Sequence, residues 1–174
     1  MNSPVPELNQ RLSKLYSSAV HDVLRDQGFT NFVLPASIKP LHRSFKLFGP
    51  IFTIEGQLTN EHSSHETLIE WTKLLSSIPA NHVGVCQPHN RDIALMGELS
   101  AETLKKRNVS GYLVDGGAET SQKLSRFDSL CFARLIRQKM LWVGGSPKNL
   151  ANQSPSATAT LLLAITYSLT PMVR

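Results

Sequence analysis

The sequence predicts an α/β domain, and three observations carry that expectation. Apolar residues recur at helical spacing in several stretches of the chain. Short apolar runs at 48–54, 83–86 and 111–114 read as strands buried in a core. The two kinds of segment alternate, a pattern that builds a parallel sheet with helices packed against it.

Leu8, Leu12, Leu15, Tyr16, Ala19, Val20, Val23 and Leu24 follow one another at helical spacing, which predicts one amphipathic helix ended by Gly28. A loop containing Pro40 follows, then a strand over 48–54 that Gly49-Pro50 interrupts. Residues 63–75 read as a second amphipathic helix, with His65, Leu68, Ile69, Trp71, Thr72 and Leu75 available to its apolar side. Pro79 stops it. Val83-Gly84-Val85-Cys86 is a buried strand, and 87–92 is the loop leaving it. Met96-Gly97-Glu98 breaks the chain after Ile93-Ala94-Leu95, and Leu99, Leu104 and Val109 then mark a helical face beside the solvated Lys105-Lys106-Arg107. Gly111-Tyr112-Leu113-Val114 is a core strand, with Asp115-Gly116-Gly117 expected as a loop at its C-terminal end. A short helix around 121–124 and a strand over 130–135 complete the pattern.

A chain of 174 residues holds one domain comfortably and two poorly. With 41% apolar and 18% charged residues it has the composition of an ordinary globular protein. The opening MNSPVPELNQ has neither a basic n-region nor an apolar h-region, so a cytoplasmic location is expected. No apolar run reaches the length of a membrane span. Cys86 and Cys131 sit in apolar contexts and are expected as reduced core thiols. A net charge of +5 invites a nucleic-acid reading, yet the only basic cluster, Lys105-Lys106-Arg107, sits near a helix end where cations complement the dipole. No aromatic residues interleave with basic ones as in single-strand binders.

The turn at Gly97 opens a helix, and Asp115-Gly116-Gly117 follows a strand; backbone N–H groups at two such places suit a small carboxylate. The wording of this segment, Gly97-Glu98-Leu99, Arg107-Asn108-Val109-Ser110-Gly111 and Asp115-Gly116-Gly117-Ala118-Glu119-Thr120, resembles the RraA-like family. That group includes the 4-hydroxy-4-methyl-2-oxoglutarate aldolases, the oxaloacetate decarboxylases and the regulators of ribonuclease E activity. Its pattern is a G-E-L turn, a helix ending in R-G-x-x-G, then a strand and D-G-x-x-R-D. Residues 17–24, 38–41, 48–54 and 74–79 and Cys131-Phe132-Ala133-Arg134 agree with it, so the resemblance covers about residues 15–139. It implies a swivelling-type β/β/α domain assembled as trimers or hexamers.

The resemblance also implies a chemistry. In the family the carboxylate of a pyruvyl dicarboxylate binds on the G-E-L turn and on the Arg of R-D. The following Asp holds magnesium or manganese, which polarises the ketone of the bond to be cleaved. Here Gly97, Glu98, Leu99 and Ser100 keep the turn, but Glu119 stands at the Arg position and Thr120 at the Asp position. Glu119 sets a negative charge where an anion should dock, and Thr120 offers a neutral hydroxyl in place of a carboxylate. Losing one preorganised electrostatic contact costs on the order of 10²–10³ in rate, so losing both should nearly abolish turnover. Asp115 is a weak alternative metal ligand, for which turn chemistry is the competing account. The implied reaction is a metal-dependent retro-aldol cleavage or decarboxylation releasing pyruvate. The rival expectations are a non-catalytic regulator of a ribonuclease and a decayed gene product.

Two other constellations stay open. His62 and His65 with Glu66 have metal-ligand spacing on a helix but no third ligand in view. His89-Asn90-Arg91-Asp92 precedes the Gly97 turn, and lining the same pocket or plain loop polarity accounts for it equally. No G-x-S-x-G elbow appears.

The end of the chain has a different character. Residues 140–174 carry only two charges, Lys148 and Arg174, and neither a helical nor a strand period. The domain is therefore expected over 1–139, with 140–174 an atypical tail. Read one frame over, the codons from Lys139 to Gly145 permit Asp-Val-Val-Gly-Arg-Trp, and those from Leu163 to Val173 permit a second family-like string. The tail is thus expected as a frameshift product, which the nucleotide sequence around Lys139 tests.

Overall fold

Residues 5–41, 45–56, 62–90, 94–119 and 131–137 are described in the structure, a computed structural model. The N-terminal periodic stretch forms two helices, α1 (Val5–Ser13) and α2 (Ser17–Asp26), where the spacing predicted one. The division comes at Lys14–Leu15: their N–H groups bond to Arg11 O and Leu12 O, i→i−3 bonds that tighten the turn and stop it. Ser13 Oγ also bonds back to Gln10 O, drawing that carbonyl away from the helix ladder. Gly28 ends α2 as expected, at φ +83, with Phe29 N reaching back to Leu24 O.

α3 (Ser64–Ser77) starts on a reciprocal cap: Ser63 Oγ accepts from Glu66 N, and Glu66 Oε2 accepts from Ser63 N at 2.8 Å. Those bonds hold the Glu66 carboxyl below its ordinary range, with His62 and His65 adding a smaller pull. The helix buries Thr67, Trp71, Leu74 and Leu75, whereas Leu68 and Ile69, expected on the apolar side, are half-exposed. α4 (Glu98–Lys106) ends at Asn108, φ +57, with Val109 N bonded to Leu104 O and both side chains buried.

Five strands make one sheet in the order β1-β5-β4-β3-β2. β2 (Ile51–Glu55), β3 (Val83–Gln87), β4 (Gly111–Glu119) and β5 (Cys131–Arg137) run parallel, and β1 (Lys39–Pro40) pairs antiparallel with β5. The Pro40 loop of the sequence reading thus contributes an edge strand. The larger correction concerns Asp115-Gly116-Gly117, which is no terminal loop. β4 continues through it to Glu119, with a register shift between Val114 and Gly117 that marks a bulge.

The α/β expectation holds, and the core lies on both faces of the sheet. On one face Ile54, Cys86, Tyr112 and Val114 pack with Trp71, Leu74, Leu75 and Ile78 of α3 and Ala101 and Leu104 of α4. On the other, Val83 and Leu113 pack with Ile38, Phe45 and Leu47. Gly84 carries no Cβ because one would sit 2.9 Å from Tyr112 Cδ2, so the tyrosine ring lies close over β3. Cys86 is a free thiol, as expected. Burial pushes it up to about 11, opposed by a hydrogen bond from Tyr112. The helix expected around 121–124, the Cys131 side chain, and the tail 140–174 with its boundary at 139 lie outside the described residues. Among the described residues no helix is long and apolar enough to cross a membrane.

Candidate functional site

Ligands of open parallel sheets collect at the C-terminal ends of the strands. Here those ends are joined by a chain of side chains. Gln87, the last residue of β3, donates from Nε2 to Asp115 Oδ2 at 3.1 Å and accepts at Oε1 from His89 N at 3.4 Å. His89 Nε2 lies 3.0 Å from Glu55 Oε1 at the end of β2. His89 adopts the left-handed conformation, φ +51, held by these two contacts. Of this group the sequence singled out Asp115 and His89; Glu55 and Gln87 were missed. Their signal is the position each takes, as the polar residue that closes an apolar strand.

The bulge brings the neighbouring loop onto β4. A Cβ on Gly116 would meet Pro88 Cγ at 2.9 Å and Asn90 O at 3.1 Å, so only glycine allows this approach. Beyond it Ala94 bridges to Gly117, and Leu95 N donates to Gly117 O at 2.9 Å. The chain therefore enters the Gly97 turn directly beside the last residues of β4. The two segments that the sequence marked as carboxylate-binding are adjacent in space.

Within the turn the residues divide. Gly97 is the N-cap of α4 and is buried, in extended backbone with no side-chain cap, and its carbonyl accepts from Ala101 N at 3.0 Å. Glu98 is half-buried, and Leu99 is 79% exposed, which corrects its place on the apolar face of the helix. Ser100 faces inward: it is 7% exposed, and its Oγ accepts from Trp71 Nε1 at 3.0 Å. Its hydroxyl anchors α4 to α3. Glu119 is the last residue of β4, in register with Arg137 of β5, and Thr120 lies outside the described residues.

The described residues supply few donors for a resident divalent metal. Of the two family-pattern carboxylates in the described part of the site, Asp115 is engaged by Gln87 and Glu98 is half-buried at the first turn of α4, and the sequence has Thr120 where the resemblance implies a carboxylate. Among the described residues no three His, Cys, Asp or Glu side chains converge, and that includes His62, His65 and Glu66, whose carboxylate serves the α3 cap.

Comparison with known proteins matches residues 17–149 to the RraA-like family, Aldolase/RraA. The chain belongs to the RraA-like family. Solved structures share this RraA-like fold. That of Streptomyces coelicolor RraAS2, described as an unusual member of the RNase ES inhibitor RraA protein family, has a TM-score of 0.67 at 18% identity, over 83% of this chain and 72% of that one. A protein from Pseudomonas syringae gives 0.67 at 16% identity, over 80% and 61%. A structure described as one of novel cellulases from gut-associated microbes gives 0.68 at 24%, over 80% and 64%. Protein DlpA of Legionella pneumophila is 26% identical over 121 residues, 69% of this chain and 19% of DlpA. The chain thus spans about a fifth of the length of the curated relative it matches.

Proposed function

We propose that this RraA-like chain carries a pyruvyl-dicarboxylate site whose carboxylate-binding turn is kept and whose metal-binding half is lost. By this reading it belongs with the family's carbon–carbon lyases, of the 4-hydroxy-4-methyl-2-oxoglutarate aldolase or oxaloacetate decarboxylase type, and turns over little as it stands. The observation that carries the reading is the bridge from Ala94 and Leu95 to Gly117. It lays the N-terminus of α4 beside the end of β4, so that backbone N–H groups and the positive end of the helix meet a carboxylate there. Glu119 carries a negative charge where the resemblance implies an arginine for a second carboxylate. The family's divalent metal would supply charge stabilisation for the enolate left by bond cleavage; Thr120 gives it no anionic ligand.

The test is repair. The chain as given should release almost no pyruvate from oxaloacetate with magnesium or manganese present. Glu119→Arg with Thr120→Asp should raise the rate by at least about a hundredfold, the gain being abolished by chelator. Chelator-sensitive turnover by the unrepaired chain at the rate of the double variant would sink this reading and point to Asp115 or Glu98 as the metal ligand. A second reading, a non-catalytic binder acting on a ribonuclease, is favoured by Glu119 and Thr120 themselves. It draws on the description of the Streptomyces relative as one of a family of RNase ES inhibitors. Specific retention of a ribonuclease by the chain, with no turnover even after repair, would select it.

A further inference from the structure

The two edges of the sheet are built differently. β1 is two residues long and contains Pro40, which has no N–H to offer; a second strand cannot extend that edge. β2, at the other edge, is Ile51-Phe52-Thr53-Ile54-Glu55, without proline, lysine or bulge. Two bonds set its phase. Val83 N donates to Pro50 O, and Gly56 N donates to Gln87 O, so the backbone groups of Phe52 and Ile54 also face β3. Those of Ile51, Thr53 and Glu55 face away from the sheet, and among the described residues nothing pairs with them.

We propose that β2 pairs with the β2 of a second copy of this chain, antiparallel and two-fold symmetric about Thr53. The strand is self-complementary in that register. Thr53 meets Thr53 of the second copy, a favourable cross-strand pair, and Ile51 meets Glu55 in both directions. All three pairs exchange two N–H···O bonds, and no like charges face each other. Glu55 needs no partner across the axis, because His89 holds its carboxylate within its own chain. Ile54 of β2 shares one buried cluster with Trp71, Leu74 and Leu75 of α3, while Leu68 and Ile69 of α3 remain 44% and 39% exposed. A two-fold contact of this kind is separate from the three-fold assembly that the family resemblance implies.

Sedimentation of the 174-residue chain at micromolar concentration should give a dimer or an assembly built from dimers. Thr53→Pro removes an N–H that points away from β3, so it leaves the β2–β3 ladder intact and should halve the mass. Thr53→Lys sets two cations opposite each other across the axis and should do the same with unchanged circular dichroism; it decides the matter even if the proline variant fails to fold. With a short bismaleimide, Thr53→Cys should cross-link to itself, while Ile51→Cys and Glu55→Cys should cross-link only when mixed. Four results would overturn the pairing: a mass that both Thr53 variants share with the parent, no cross-link at Thr53→Cys, self-linking of Glu55→Cys, or a monomer retaining a foreign peptide on β2. Growth in mass without a plateau, untouched by Thr53→Lys, would show aggregation in place of a specific interface.

Discussion

The Trp71–Ser100 hydrogen bond is the most consequential single contact next to the site, because it joins the two helices on one face of the sheet. Trp71 is 8% and Ser100 7% exposed, so neither partner has ready access to water. Ser100→Ala should strand the indole N–H and cost about 1–3 kcal/mol, read as a fall in the urea midpoint at constant m. Trp71→Phe in the Ser100→Ala background should cost less than the two single changes added together, since the donor then leaves with the acceptor. Additive costs would mean that the bond contributes nothing to stability. From the sequence Ser100 is expected in a carboxylate-binding turn. Its inward orientation is not, because helical spacing around a turn of uncertain start does not say which side of the first coil faces the core.

At the scale of elements, the cap of α3 makes a pH-dependent contribution. Ser63→Ala should cost about 1 kcal/mol, the usual price of a lost N-cap. Glu66, the reciprocal partner, has its carboxyl lowered chiefly by the Ser63 backbone N–H and then by the Ser63 hydroxyl. A depressed folded value means that the unfolded chain takes up the proton first on acidification. The contribution is therefore present above the ordinary value of 4.5 and is lost as pH falls through the lower folded value. Glu66→Gln should lower stability at neutral pH and flatten that part of the stability profile, the two proteins converging as pH falls from about 5 to about 3. An acid limb identical in both proteins would remove the cap from the account. The S-x-x-E spacing of Ser63 and Glu66 is visible in the sequence, as are Gly28 and Pro79 as helix ends, because capping and stopping depend on local chemistry alone. The bulge in β4 was not visible. Asp-Gly-Gly is turn chemistry in isolation, and only the hydrogen bonds offered by β5 and by Leu95 make it strand.

For the whole molecule, the outer surface around α2 matters more than its helical periodicity suggested. α2 buries only Val20, while Leu15, Tyr16, Val23, Phe29 and Val33 are 41–70% exposed. Apolar surface concentrated around one helix favours indiscriminate association. Replacing Tyr16, Val23 and Phe29 together by serine or lysine should lower hydrophobic-dye binding and light scattering. Each substitution should alter stability by no more than about 0.5 kcal/mol, because no core contact is removed. A collapse of the thermal transition on these changes would show that the surface is packed against something essential. This test is independent of β2, where the expected association is specific and stops at a defined size.

By itself the sequence determined the fold class, the helix stops, the strands at 83–86 and 111–114, and membership of the RraA-like family. These follow from periodicity, capping and motif spacing, which act over a few residues. Tertiary structure decided the break between α1 and α2, the strand character of Asp115-Gly116-Gly117, the exposure of Leu99 and the linkage of Glu55, His89, Gln87 and Asp115. The strand character of β4 and the linkage of these four side chains depend on which distant backbone arrives alongside. Gln87 and Asp115 are 28 residues apart in the chain, and only the parallel register of β3 and β4 makes them neighbours.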